Sequence, residues 1–256
     1  MRTIHAVAIS DGSSRAYDGG TNTRAADSVA TVRGAGMNCD RIARIYRAAE
    51  YLSFGGVLQA CRVMYLSDAA DCRRALVCGD GDGRFTGALL RANGGVRVDY
   101  VDLSTGMAEV ARRRVEAIGQ EAIARASFHA GDVREFSSGD GAAAYDLVTA
   151  HFFLDCFDDA EAAIVARRLA SFAQPGAMLL LSDFRIPPRG VMRYVAAAIV
   201  RGLYAAFRIT TGLRVTRLPN YENALKSAGF RKERETMKLD GPLVASLWRK
   251  IKTQDN

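Results

Sequence analysis

The sequence predicts an α/β fold with a doubly wound, mostly parallel sheet and helices on both faces. Short apolar runs alternate with segments of helical periodicity along the middle of the chain. A glycine-rich turn, GDGDG, separates the first apolar run from the first helical segment. The chain has 256 residues, of which 49% are hydrophobic, which is enough for one sizeable core. Because strands that alternate with helices build crossover units, we expect a parallel sheet covered on both sides.

The strand and helix candidates follow one another in strict alternation. Apolar runs with the length of buried strands lie at 75–78, 96–101, 126–128, 146–150 and 177–182. Helical patterns lie between them at 85–92, 107–118 and 160–172. This order predicts the central part of a crossover sheet.

The two ends of the chain differ from this centre. Residues 1–36 are small, polar and rich in glycine, and we expect a disordered leader. Residues 37–256 are expected to form a single domain, in which 37–70 have apolar and aromatic residues at helical spacing and predict an N-terminal helical cap.

After two consecutive prolines the pattern changes again. Residues 188–215 are a strongly apolar helical stretch interrupted by arginines, and we expect an inserted lid helix. A short helix follows, with Asn220 as its N-cap and Gly229 just beyond its end. Two extended segments around Asp240, Gly241 and Pro242 predict a C-terminal hairpin strand pair.

Composition narrows the function classes. Five cysteines form no CxxC pair and three histidines are scattered, so we expect no metal site, and with no signal-like segment we expect a cytoplasmic protein. The net charge of +7 is uneven, because fifteen Lys and Arg stand against five Asp and Glu from Phe184 onward. Such a basic part suits nucleic acid, a membrane surface or an anionic substrate, or is an ordinary solvated surface.

The spacing of the glycines in the turn discriminates between the ligands that an α/β fold of this type could bind. A triphosphate-binding loop needs GxxxxGK[ST], which is absent here. The dinucleotide motif GxGxxG needs a glycine at its third conserved position, which is Arg84 here. The observed pattern is instead GxGxG, at Gly79, Gly81 and Gly83.

Polar residues at the ends of the following strands strengthen the case for a nucleoside ligand. Asp102 ends the second strand, where a carboxylate can accept both hydroxyls of a ribose. Asp132 follows the third strand in HAGDV and could accept a hydrogen bond from an adenine amino group. His151 ends the fourth strand, at the edge where open α/β sheets bind ligands.

With these motifs in order, the chain resembles a class I S-adenosylmethionine-dependent methyltransferase. The resemblance covers residues 39–256 and depends on LVCGDGDGRF, VDLSTGM, GDV and YDLVTAHFFLDCF. It implies a Rossmann-like seven-stranded sheet and S-adenosylmethionine as cofactor. The C-terminal part is also loosely similar to quinone-biosynthesis C-methyltransferases, which implies a small-molecule acceptor.

The resemblance also implies roles for individual residues. Gly79, Gly81 and Gly83 would lie beneath the methionine part of the cofactor, and Asp102 would hold the ribose. Contacts with the adenosyl group would come from the remaining residues that match the motifs or lie in the cap: Leu103, Met107, Asp132, Val133 and Tyr46.

One position departs from the family pattern. The usual acid two residues before the first glycine is Val77 here, so the amino group of the cofactor would need other acceptors, such as loop carbonyls or Asp80. This departure also leaves open a protein of this fold that binds cofactor without chemistry.

Methyl transfer to an oxygen or carbon needs alignment of the two reactants and a group that takes a proton. His151 is the candidate base on its ordinary pKa, with Asp155 and Asp183 as acids near the same edge. The apolar lid favours a hydrophobic small molecule, and DNA is not expected because no NPPY-like tetrapeptide follows the fourth strand.

Three alternatives stay open at this point. The basic C-terminal part would suit an RNA-modifying or RNA-binding protein, although no separate RNA-binding module is visible. An NAD(P)-dependent oxidoreductase is disfavoured by Arg84. The lid helix could also make peripheral contact with a membrane through its arginines.

Overall fold

The structure is a computed structural model that describes residues 55–139, 144–211, 217–239 and 241–252. The predicted leader and most of the predicted cap therefore lie outside the described residues. So do Tyr46, the predicted contact residue, and Tyr51 and Phe54, two further aromatic residues of the cap. The part of the cap that is described contains helix α1, Gly55–Arg62, and a 3₁₀ turn, Leu66–Ala69.

The central elements follow the predicted alternation with small shifts at their ends. In chain order they are β1 (Arg74–Cys78), α2 (Arg84–Ala92), β2 (Arg97–Asp102), α3 (Thr105–Glu116), α4 (Gln120–Ile123), β3 (Ala126–Ala130), β4 (Tyr145–His151), a 3₁₀ turn (Leu154–Cys156), α5 (Asp159–Phe172) and β5 (Ala173–Phe184). The C-terminal elements are α6 (Val191–Thr211), α7 (Tyr221–Ser227), β6 (Phe230–Lys238) and β7 (Leu243–Lys250).

Local signals explain where several helices begin and end. Ser104 caps α3 by accepting a hydrogen bond from the backbone N–H of Met107. Asn220 caps α7 in the same way, and Gly229 follows that helix with φ of +87°. Helix α5 begins with a capping box, in which Asp158 and Glu161 each bond the backbone N–H of the other.

The described strands form a seven-stranded sheet in the order β3-β2-β1-β4-β5-β7-β6. The pairs among β1 to β5 are parallel, whereas β7 is antiparallel to both β5 and β6. The sheet is therefore mixed, which corrects the expectation of a mostly parallel one. The reason is that β6 and β7 follow one another after a short connection, which returns the chain antiparallel, and β7 then pairs with β5.

Two apolar layers cover the sheet, one on each face. One face packs against α5 and α7 through Val148, Leu181, Trp248, Leu169 and Leu225. The other face packs against α2 and α3 through Val77, Tyr100, Phe85, Leu89 and Val115. A third cluster joins α1 and α6 to the ends of β5 and β7.

The strand order reverses between β1 and β4. From β1 the chain continues to β2 and β3 on one side of the sheet, and from β4 it continues to β5 on the other side. At such a switch point the loops after the two strands diverge and leave a crevice at the carboxyl ends. This crevice lies between the glycine turn after β1 and the residues that follow β4.

Candidate functional site

The glycine turn after β1 needs glycine at three positions because of the backbone conformation, and at two of them also because of close packing. Gly79, Gly81 and Gly83 have φ of +63°, +60° and +76°, a region that side chains rarely adopt. At Gly79 a Cβ would lie 2.3 Å from the Phe153 ring, and at Gly83 it would lie 2.7 Å from the Cβ of Ala111 on α3. At Gly81 a Cβ would meet nothing within 4 Å. Gly81 is thus the glycine of the three that borders open space.

Buried acids inside the turn hold it in shape. Asp80 is 3% exposed and accepts hydrogen bonds from the backbone N–H groups of Phe85 and Thr86 and from the Thr86 hydroxyl. Burial raises the pKa of Asp80 to about 6. Because both oxygens hold the first turn of α2, Asp80 caps a helix in this structure and is not aimed at a ligand ammonium group.

Asp82 ties the same turn to α3. Its carboxylate forms ion pairs with Arg84 at 3.0 Å and with Arg114 at 2.7 Å, and Arg114 also donates to the Asp82 carbonyl at 2.7 Å. The large Arg84 side chain, which interrupts the dinucleotide motif, is therefore used to brace the loop.

Asp102 connects the glycine turn to the start of α3. Its Oδ2 accepts from the Gly81 N–H at 3.1 Å and from the Tyr100 hydroxyl at 3.2 Å, and its Oδ1 accepts from the Ser104 N–H at 2.9 Å. Burial raises the pKa of Asp102, and these three hydrogen bonds lower it. A carboxylate with free lone pairs is thereby held beside the open space at Gly81.

Two apolar residues flank Asp102. Leu103 is 77% exposed at the end of β2, and Met107 is half-buried in the first turn of α3. An exposed leucine beside a carboxylate and a glycine turn offers an apolar surface to a ring.

The residues predicted from the third strand are placed less favourably. Asp132 is engaged by Arg134, whose Nε lies 3.0 and 2.9 Å from its two oxygens and whose Nη2 lies 2.6 Å from Oδ2. This pairing with Arg134 lowers the pKa of Asp132. Val133 is 4% exposed and belongs to the core, so it presents almost no surface to an adenine ring.

His151 lies at the end of β4 but inside the protein. It is 3% exposed and packs against the Phe85 ring with centroids 4.5 Å apart. Its Nδ1 lies 3.0 Å from the Ser182 hydroxyl oxygen, and that hydroxyl donates to the Cys61 carbonyl at 3.0 Å. Nδ1 must therefore carry the proton, which leaves Nε2 as a buried acceptor without a partner among the described residues.

This environment opposes the predicted role of His151 as a base. Burial first, and then the nearby charge of Arg62, lower the pKa of His151 to about 3. The imidazole is neutral at physiological pH and has little tendency to take up a proton. In this structure His151 can accept a hydrogen bond at Nε2, but binding a second proton there is energetically unfavourable.

Asp155 and Asp183 form a buried carboxyl pair on the other face of the sheet. They are 4% and 0% exposed, and Asp183 follows Ser182 near the end of β5. Burial raises the pKa of both, and the nearby charge of Asp155 raises that of Asp183 further. Asp183 Oδ1 accepts from the Phe184 N–H at 2.7 Å, and its Oδ2 has no partner among the described residues. Burial and this mutual repulsion favour the protonated form of at least one of the two carboxyls.

The structure thus brings several predicted residues to one edge and leaves others apart. Cys156 is close enough to Asp155, Asp183 and Asp102 for each carboxylate to raise the pKa of its thiol. Sequence reasoning missed Phe153, which covers Gly79, and Ser182, which orients His151. Phe153 could have been found as an aromatic residue at a strand end, whereas no pattern marks Ser182.

Comparison with known proteins supports this assignment of the edge. Residues 76–179 match the family model described as a methyltransferase domain. No curated protein sequence matches the chain.

Several solved structures share the fold. The mitomycin 7-O-methyltransferase MmcR is 21% identical, with a TM-score of 0.60 over 82% of this chain and 60% of that one. An O-methyltransferase family protein from Burkholderia thailandensis is 21% identical, with a TM-score of 0.63 over 84% of this chain and 63% of that one. The N-methyltransferase NodS from Bradyrhizobium japonicum, solved with S-adenosyl-L-homocysteine, is 15% identical, with a TM-score of 0.53 over 75% and 85% of the two chains.

At these identities the likeness concerns the fold, and the chain spans less than two thirds of the first two structures, 60% and 63%. The match of residues 76–179 covers the glycine turn, Asp102 and the end of β4, which are the motifs on which the resemblance depends. The match over residues 76–179 confirms the predicted resemblance to a methyltransferase domain and supports S-adenosylmethionine as the predicted cofactor.

Proposed function

We propose that this protein transfers a methyl group from S-adenosylmethionine to an oxygen or carbon atom of an apolar small molecule. The observation that carries the proposal is the open space beside Gly81, which a Cβ would enter without contact while the other two glycines of the turn are packed closely. Asp102 and the exposed Leu103 border the same turn. This is the arrangement that a nucleoside with an amino-acid tail requires.

The residues present fit that cofactor at three points. Asp102 would accept hydrogen bonds from the ribose hydroxyls, and Leu103 and Met107 would lie against the adenosyl group. Bound there, the cofactor supplies an electrophilic methyl group on a sulfonium centre. Asp132 would have to share its oxygens between the adenine amino group and Arg134.

The acceptor side of the proposal depends on an apolar recess at the carboxyl end of β5, whose volume is about 10 Å³, so α6 would have to move outward to admit a molecule. It is lined by side chains from β5, from the inner face of α6 and from the start of β7, which are Phe184, Ala196, Ile199, Val200, Pro242 and Leu243. No charged side chain lines it. An apolar molecule is therefore favoured over a charged one, and α6 would cover it as a lid.

Methylation of a hydroxyl also releases a proton, and the protein must accept it or pass it to water. The carboxyl pair Asp155 and Asp183 is better suited to this than His151, because burial raises carboxyl pKa values and lowers the pKa of an imidazole. His151 would instead orient a donor through its unpartnered Nε2. The four described cysteines are free thiols, which supports a reducing cytoplasmic setting.

The test is calorimetric titration of the purified protein with S-adenosylmethionine, S-adenosylhomocysteine and NADH. We expect micromolar binding of both adenosyl ligands and none of NADH. Asp102→Asn removes a charged acceptor and should weaken adenosyl binding by about tenfold to a hundredfold. Glu109→Gln is the matched control, because it removes one carboxylate charge from the exposed face of α3 and should leave binding unchanged.

Other outcomes would contradict the proposal. Unchanged adenosyl binding in Asp102→Asn would mean that the turn holds the cofactor differently or not at all. NADH binding in its place would favour an oxidoreductase. Tight, salt-dependent binding of RNA by the wild-type protein would favour a nucleic-acid acceptor.

A further inference from the structure

The outward face of α6 is apolar, which is unusual for a helix on a protein surface. Val191 is 77% exposed, Tyr194 is 75% exposed and Val195 is 41% exposed, and Ala198 is also exposed. Their spacing of three and four residues places them in one row, which we call the outer stripe. The opposite side of the same helix is buried through Ala196 and Val200, so the outer stripe faces away from the protein.

Positive charge lies at the two ends of the outer stripe. Arg189 precedes it and Arg201 follows it; both are exposed, and neither forms an ion pair within the described part of the chain. From Arg185 to Tyr221 the sequence has seven arginines and no Asp or Glu, although Arg185 and Arg217 pair with Glu235 and Asp159 of other elements. An apolar row with a cation at each end is complementary to a surface with an anionic outer layer above an apolar interior.

A second copy of the chain fits this surface poorly. A symmetric contact would bring Arg189 and Arg201 of the two copies close together, and this segment has no carboxylate to neutralise them. Four side chains also cover much less area than the roughly 800 Å² per partner that a stable dimer buries. Within the described residues, no helix is long and apolar enough to cross a bilayer, so contact would be with the surface of the membrane.

We propose that the outer stripe of α6 docks this protein on the surface of anionic lipid membranes, with the flanking arginines against the headgroups. The inference goes beyond the methyl transfer proposed above and does not depend on it. Its ligand is a phospholipid surface, whereas the inner side of α6 would cover the acceptor molecule.

The test is flotation of the full chain with lipid vesicles, one set of pure phosphatidylcholine and one with about a third phosphatidylserine. We expect binding to the second set only, weakened when ionic strength rises from about 0.1 M to about 0.5 M. Replacing the two flanking arginines, R189Q/R201Q, should lower the partition coefficient by about twenty-fivefold, because each cation near the surface contributes about fivefold. The variant V191S/Y194S/V195S should lower it by at least about tenfold.

A charge-matched control separates local from general attraction. R91Q/R97Q removes the same charge from exposed positions outside α6 and should keep most of the binding. Equal loss in both arginine variants, or no binding of the wild-type chain to the anionic vesicles, would overturn the proposal. So would a wild-type dimer that V191S/Y194S/V195S converts to monomer in analytical ultracentrifugation, because the occupant would then be a second copy. Circular dichroism confirms that each variant is folded.

Discussion

The packing of Gly83 against α3 provides a sharp test of the glycine turn. In Gly83→Ala the new Cβ would lie 2.7 Å from the Ala111 Cβ and 2.8 Å from its Cα, so backbone must move. The left-handed conformation costs about 1–2 kcal/mol for any residue with a side chain. Overpacking adds about 1–3 kcal/mol. We expect Gly83→Ala to lower the free energy of unfolding by about 2–5 kcal/mol.

Gly81→Ala is the matched comparison, because φ is similar and the space is open. It should lose only the conformational part, about 1–2 kcal/mol, but weaken S-adenosylmethionine binding at least about tenfold by filling ligand space. Adding Ala111→Gly to Gly83→Ala should restore part of the lost stability.

Urea unfolding followed by circular dichroism measures the stabilities, and calorimetry measures the binding. Equal destabilisation by Gly81→Ala and Gly83→Ala would refute the assignment of separate roles. The same conclusion would follow if Gly81→Ala bound the cofactor as tightly as the wild type.

Two further predictions concern pH. Burial depresses the pKa of His151 to about 3. The stability that the neutral imidazole provides is therefore present above the unfolded pKa of about 6.5 and is lost as pH falls towards 3, by up to about 1.4 kcal/mol per pH unit. In urea titrations His151→Asn should reduce this loss of stability at acid pH, and an unchanged slope would contradict the burial argument. The pKa of Asp183 is raised, so the stability that its protonated carboxyl provides is fully present below about pH 4 and is lost as pH rises. The difference in stability between Asp183→Asn and the wild type should therefore shift in favour of the variant from about pH 5 to about pH 8. Parallel curves of stability against pH for the two proteins would argue against a buried carboxyl pair.

Local sequence patterns were sufficient for the succession of elements. The strand predicted at 146–150 is observed as Tyr145–His151, and the helix predicted at 85–92 as Arg84–Ala92. Apolar periodicity and capping residues such as Asn220 act over a few neighbouring residues, so they can be read directly. Strand pairing is not local, and for this reason the antiparallel placement of β7 beside β5 was not predicted.

The candidate site divides in the same way. The glycine turn and Asp102 could be found by spacing, because a nucleoside site at a strand end has a short sequence signature. The burial and protonation of the side chains could not be predicted from the sequence, because they depend on residues that are far apart in the chain.

His151 illustrates the difference most clearly. Its ordinary pKa suggested a base, but Ser182 on β5, Cys61 on α1 and Phe85 on α2 enclose it and keep it neutral. The sequence by itself determined the class of fold and the turn and predicted the cofactor, since these depend on short-range spacing. Only the tertiary structure decided which polar groups are buried and therefore which of them can hold a charge, because desolvation depends on everything packed around the group.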